Sequence, residues 1–309
     1  MKQWKIYGIL VFVMFIWGFN LPAVKYLVTE VQPVTMTAFR ILVASITVFA
    51  ILAAFRLVRK PTKKEWQYIV LGAMLNVVSH HYFLSIGLTQ TSGSTAGLIL
   101  GTGPVLTAVL VSLLLRIYPS KLQWIGFVLG LGGVSATVLA GGDGATGFSL
   151  GDIFVFLSIL TQVFSFIIIS KAAKTLDPRL LTAYMFLVGS IVLFFISLMQ
   201  EPGEITKFLD VPPLFWLAFF GSAMVGTAVG HMLYNYSVGQ AGPSKAAIFI
   251  NLNTLFTLIG ASVFLGEEIT TRHILGLVLI VAGVIFGSGA AEDLWKKHKL
   301  KKEQSTPSA

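Results

Sequence analysis

Long apolar stretches alternate with short polar segments along almost the whole chain. Ten apolar runs approach the about 20 residues that a helix needs to cross a bilayer: 6–24, 34–55, 67–87, 95–115, 122–140, 151–170, 180–199, 214–237, 244–265 and 273–290. The first is too long for the apolar core of a secretory signal, and Trp17, Gly18, Phe19, Asn20 and Pro22 follow with no small-residue cleavage site. It reads as a retained span.

The pattern is written twice. Adding 150 to each number lays Met74–Val134 without a gap on Met224–Val284, with His81 on His231, Gln90 on Gln240, Ser94 on Ser244, Thr107 on Thr257 and Gly133 on Gly283. Polar residues are scarce in these runs, so their coincidence points to duplication rather than to shared apolar composition. A second echo pairs Thr37–Ser45 with Thr182–Ser190 at an offset of 145, five of the nine positions being identical. The change of offset is absorbed in Glu201–Pro213. The repeats are expected at 1–144 and 145–291, with a seam in the glycine-rich Gly141–Gly147 and a basic tail over 292–309.

Composition sets the solvent. The chain has 309 residues, 55% hydrophobic and 11% charged, with a mean hydropathy of +0.84, which leaves too little polar surface for a soluble globule. The net charge of +9 would suit nucleic acid in a soluble protein, but here the basic residues sit between apolar runs and no nucleic-acid motif occurs. With a cytoplasmic N-terminus, 17 Lys and Arg fall in inner segments, 3 in outer loops (Lys25, Lys207 and Arg272), and Arg40 and Lys245 lie just inside spans. The positive-inside rule then puts both termini in the cytoplasm of a multi-pass protein of the cell membrane. Five spans per repeat is an odd number, so the second copy enters the membrane inverted. The expected fold is an all-α integral membrane protein of ten transmembrane helices in two inverted five-helix repeats.

Five local features have a familiar order and spacing: Trp17-Gly18 in the first run, Phe39-Arg40 in the second, Gly266-Glu267 after the ninth, and Gly276 and Gly283 in the last. In these the chain resembles the EamA type of the drug/metabolite transporter superfamily over residues 6–290. The resemblance implies a carrier of small metabolites, often amino acids or related compounds, moved outward across the bacterial cytoplasmic membrane. One departure is Arg116-Ile117-Tyr118, where many relatives repeat a Glu after the fourth helix.

Polar side chains are costly in hydrocarbon unless they face the bundle interior, so those within the runs form the candidate site. His81 is favoured over His80 because it pairs with His231 by repeat symmetry, as a substrate partner or a group titrating near pH 6.5, against an interhelical hydrogen bond. Gly101, Thr102, Gly103 and Pro104 fall opposite Asn251, Leu252, Asn253 and Thr254, and loosened backbone there is expected to wall a cavity, with only one of Asn251 and Asn253 facing it, against close helix packing at Gly101 and Gly103. Trp17, Asn20, Gln162, Ser165, Tyr234 and Asn235 complete the set. Arg40 is read as an outer gate paired with Glu267 or Glu268, against snorkelling or capping by backbone carbonyls. Gly126 with Gly130, and Gly283 with Gly287, mark the fifth and tenth helices as packed scaffold or as a homodimer contact.

The function expected is a secondary transporter exporting a small polar metabolite by alternating access around a midplane cavity. No nucleotide-binding loop, cofactor or metal set is visible, and no Asp or Glu sits at mid-span, which leaves histidine-coupled or facilitated transport. The alternatives are a membrane-embedded enzyme acting on a lipid or isoprenoid, for which acidic clusters or a nucleophile with its base are not seen, and a non-transporting membrane subunit.

Overall fold

A computed structural model describes residues 3–91, 93–140, 149–265, 269–292 and 294–295. Ten helical rods follow one another in it: α1 (Gln3–Glu30), α2 (Pro33–Ala54), α3 (63–90), α4 (93–115), α5 (Lys121–Ala140), α6 (Leu150–Ala172), α7 (Pro178–Gln200), α8 (Pro213–Ala241), α9 (243–265) and α10 (Thr271–Gly287). Eight are long and apolar enough to span a bilayer over at least 18 residues, and α10 is a shorter apolar helix. The ninth is interrupted by a 3-10 turn at Ile248–Ile250, and α4 breaks at Thr102. Large apolar side chains such as Ile46, Leu113, Val128, Leu217 and Val278 stand exposed on the perimeter, as surfaces that meet acyl chains do.

The helix starts show the duplication at the level of single hydrogen bonds. Ser120 and Gln123 cap the start of α5 reciprocally, and their counterparts Thr270 and His273 do the same for α10. Pro33 opens α2 and Pro178 opens α7, each at a first-turn position where no backbone donor is lost.

Packing interlocks the halves. α1 lies against α8 and α9 of the second half, α6 lies against α3 and α4 of the first, and α2 packs along α7. α5 and α10 are the closest pair, and they run antiparallel: a Cβ at Gly126 would strike the backbone of Gly287, one at Gly133 that of Ile280, and one at Gly276 the side chain of Thr137. Hydrocarbon supplies no hydrophobic drive between helices, so backbone approach of this kind holds them by dispersion. The glycine faces of α5 and α10 are therefore occupied by each other within one chain. Because α5 and α10 are copies, their antiparallel contact requires a two-fold axis between the repeats, which is the inverted arrangement.

Candidate functional site

The centre of the bundle is shaped by two stretches of π-helix. α3 widens at Ala73–Ser79 and returns to α-helix at His80, and α8 widens at Gly221–Val229 and returns at Gly230. At the repeat offset these segments coincide. A π-turn breaks the regular ladder and re-aims the side chains that follow it, and it is common at functional sites. Two residues beyond these segments, His81 and His231 face each other.

Their rings lie 6.0 Å apart between centroids. Trp17 of α1 covers His231 at 4.7 Å and Tyr234 at 5.2 Å, and Phe186 closes on His231 at 5.6 Å. Such spacings are contact distances, so the rings are closed on one another. The indole is held by its Nε1–H, which donates to the Gly226 carbonyl at 2.9 Å. Glycine is required on this face of α8: a Cβ at Gly230 would meet the indole nitrogen, and one at Gly226 would lie 2.5 Å from Cγ of Asn20. The predicted residues Trp17, Asn20, His81, His231 and Tyr234 thus come together on α1, α3 and α8.

A second layer surrounds His80. Its Nδ1 lies 3.2 Å from the Ser158 carbonyl and 2.8 Å from the Ser158 hydroxyl, and the Gln162 amide nitrogen lies 2.9 Å from Nε2. With the amide donating, Nε2 accepts and Nδ1–H donates to the carbonyl, a neutral ring satisfied on both sides. Asn76, inside the π segment, donates to the Ser165 hydroxyl at 2.7 Å, and Ser165 donates to the Gln162 carbonyl. Gln162, expected in a cavity wall, meets the His80 ring, and Ser165 is tied to it through the Gln162 carbonyl. His80, Asn76 and Ser158 escape a symmetry argument because none has a polar copy that matches it.

Arg40 is 6% exposed and does not snorkel to an interface. Its Nη1 donates to the Thr227 hydroxyl at 2.9 Å, a partner supplied by the π segment of α8. Capping by backbone carbonyls is not seen among the described residues, and the expected partners Glu267 and Glu268 lie outside them. Two turns further along α8, Asn235 donates to the Thr182 hydroxyl at 3.0 Å.

Three predicted residues are placed differently. Thr102 bonds its own helix, donating to the Ile99 carbonyl at 2.6 Å where α4 breaks. Asn251 turns toward the scaffold, its amide nitrogen where a Cβ of Gly130 in α5 would fall. Asn253, about 200° around the helix from it, is half-buried with an unpartnered Oδ1. The two asparagines thus point to different surroundings, as the angle between them demands.

Buried polar atoms seldom lack a partner, yet several here do: Arg40 Nε, His81 Nε2, the Tyr234 hydroxyl, Asn235 Oδ1 and Asn76 Oδ1. Five further atoms of this kind lie on Ser222, Ser244, Asn251 and Asn253, so the unmet capacity runs from the ring cluster along α8 and α9. The pattern that describes the EamA-like transporter family matches the chain twice, over residues 4–139 and 149–288. The chain belongs to the EamA-like transporter family. Among its relatives are the uncharacterized transporter YyaM of Bacillus subtilis, 26% identical over 94% of this chain and 95% of that one, and a WAT1-related chloroplastic protein of Arabidopsis thaliana, 23% identical over 87% of this chain and 66% of that one. A solved crystal structure shares the fold with a TM-score of 0.78, at 14% identity, over 92% of this chain and 98% of that one.

In this EamA-like chain the α2–α7 pair is tied at both ends. At one, Glu201 accepts from the Val34 and Thr35 amides at 3.0 and 2.7 Å and from the Thr35 hydroxyl at 2.6 Å, while Glu204 accepts from Gln32 N at 2.9 Å. Carboxylates here neutralise the positive end of α2. At the other end Arg59 forks onto Glu65 at 2.7 and 2.8 Å and donates to the Thr175 carbonyl beyond, and the Tyr184 hydroxyl donates to the Arg59 carbonyl. The hydrogen bond to Glu65 holds the Arg59 guanidinium above its ordinary pKa.

Proposed function

We propose that this EamA-family protein is a secondary transporter that exports a small polar metabolite, such as an amino acid or a related compound, by alternating access. The observation that carries the reading is the contact between His81 and His231, repeat copies that meet at the centre under Trp17 and Tyr234. Around such a pair each half can rock on the other, and the ties of α2 to α7 at the two ends act as alternate closures. The contacting rings correspond to a closed state, and a solute parts them when one end opens.

Orientation is read from charge: the Lys- and Arg-rich segments face the cytoplasm, with both termini on that side of the bacterial cytoplasmic membrane. The dense packing of α5 on α10 makes this pair a scaffold outside the path. The enzyme alternative has no positive support in the central cluster, whose residues form rings, amides and hydroxyls rather than a nucleophile joined to a base.

The test is flux from proteoliposomes under an imposed pH gradient, screened against amino acids, amines and nucleosides. Flux that responds to the gradient and is lost in His81→Ala and His231→Ala supports a histidine-lined path. Flux indifferent to pH removes histidine coupling and leaves facilitated export. No flux with any of these solutes in a correctly folded preparation sinks the reading.

A further inference from the structure

Arg40 is a charged residue near the centre whose repeat counterpart is apolar. At the 145 offset its counterpart is Met185 of α7, which is fully buried. Met185 packs onto α3, its sulfur 2.5 Å from where a Cβ of Gly72 would be, and Gly72 is the counterpart of Ser222 in α8. Val77, the counterpart of Thr227, packs on α7 at Gly189. The junction between a second helix and a π segment is thus built twice, with Met185 on Gly72 and Val77 on Gly189 in one copy and Arg40 on Thr227 in the other, where Ser222 stands at the place of Gly72. The apolar version shows that the architecture needs no charge there. The charged version contains Arg40 Nε and Ser222 Oγ, both sealed from the surface and both without a hydrogen-bond partner.

Charge makes the departure sharper. The guanidinium has a single hydrogen bond among the described residues, from Nη1 to a neutral hydroxyl, and no carboxylate within ion-pair distance. The described carboxylates that bond to protein groups do so at helix ends, as Glu65, Asp152, Asp177, Glu201 and Glu204 illustrate. His81 and His231 lie within electrostatic reach of Arg40 and are themselves basic. An isolated buried cation of this kind is strongly unfavourable unless something negative answers it. The Nε–Nη2 edge, which presents two parallel N–H groups, matches the two oxygens of a carboxylate. A single fixed cation suits one negative charge, and a phosphate monoester would call for more.

We propose that Arg40 is the anion anchor of the central site, binding the carboxylate of a small carboxylic or amino acid through its Nε–Nη2 edge, with Thr227 holding the opposite side of the guanidinium. This deepens the transport reading and rests on it only for the movement of the solute once bound. The His81, His231, Trp17 and Tyr234 rings then receive the rest of the molecule. The departure from symmetry at Arg40 gives one half of the transporter the recognition group and leaves the other half, at Met185, as plain packing.

The experiment uses the full-length protein in lipid nanodiscs, with thermal unfolding read against three matched pairs at millimolar concentration: isovalerate and isovaleramide, leucine and leucinamide, phenylalanine and phenylalaninamide. At least one acid is expected to raise the unfolding temperature while its amide does not. Arg40→Met, which installs the residue of the other repeat, should unfold at a higher temperature than wild type without probe and lose the response to acid. Arg40→Lys keeps the charge without the fork and should weaken the acid's apparent affinity about tenfold or more. Equal responses to acid and amide, an acid response that survives in Arg40→Met, or no response to any acid would each overturn the anchor. Should Arg40→Met fail to fold, the acid-to-amide contrast in wild type and Arg40→Lys decides alone. Counterflow in vesicles separates the two readings. Transport of any screened solute that is undiminished in Arg40→Lys and Arg40→Gln leaves transport standing and removes the anchor, whereas Arg40-dependent acid binding without flux does the reverse.

Discussion

His81 and His231 face each other at 6.0 Å between ring centroids, and each is the repeat copy of the other. Only residues close to a two-fold axis can touch their own copies, so this pair marks where the axis between the halves passes. In the proposed alternating-access cycle, a side chain on that axis is the least displaced when the halves exchange states. It is the natural place to hold a solute throughout a cycle.

Replacing either histidine with Gln keeps a polar side chain but breaks the His81–His231 ring contact, and at His231 also the contact with Trp17. Flux is expected to fall by about tenfold or more in each, with unfolding temperatures shifted only slightly, because one ring contact is worth about 0.5–1.5 kcal/mol. Initial rates in vesicles beside thermal unfolding check this. Unchanged flux in both variants would assign the pair to packing.

Glycines divide by what a Cβ would touch. Gly132 lies on the same helix as Gly133, yet a Cβ at Gly132 meets nothing within 4 Å, while one at Gly133 would lie 2.6 Å from the Ile280 backbone nitrogen. Gly132→Ala should be neutral or stabilising by up to about 1 kcal/mol. Gly133→Ala should destabilise by about 1–3 kcal/mol or more, since a backbone cannot step aside as a side chain can. Gly230→Ala should spare the scaffold and displace Trp17, read as a shift in tryptophan emission together with lost flux.

The tie of Glu201 to the start of α2 predicts a conformational effect. Glu201→Gln retains one acceptor oxygen and loses the charge that answers the helix end, a loss of about 1–2 kcal/mol. That end should spend more time open. Cysteine accessibility at a residue introduced near Thr35, compared in wild type and the Gln variant, measures it, and equal accessibility would show the tie to be no closure.

The π segments predict a register effect. Removing Val78 from Ala73–Ser79 should restore a continuous α-helix and turn His80 and His81 by about 100° relative to the preceding helix. The protein should still insert and fold, with circular dichroism unchanged, but Gln162 would lose its contact with His80 and transport should cease. Retained transport would mean that the widened turn is incidental.

Ten spans, two halves and their inversion were all legible in the chain because each rests on local pattern: apolar length, the 150-residue echo and the count of lysines and arginines. His81 with His231 was legible too, since symmetry pairs them. Gln162 and Ser165 were legible only as polar residues in a span, and their engagement with His80 was not, because it joins α6 to α3 across a packing angle that no repeat encodes. Asn251 looked like its neighbour Asn253 and turned out to face Gly130, a difference set by helix rotation alone.

The sequence by itself determined that this chain is a duplicated, inverted bundle for a membrane, since hydrophobic length and charge placement are properties of segments taken one at a time. The tertiary structure alone decided which polar atoms are answered. Whether Arg40 meets a hydroxyl, a carboxylate or nothing depends on where α2 crosses the π turn of α8, and that crossing is a product of packing between segments far apart in the chain.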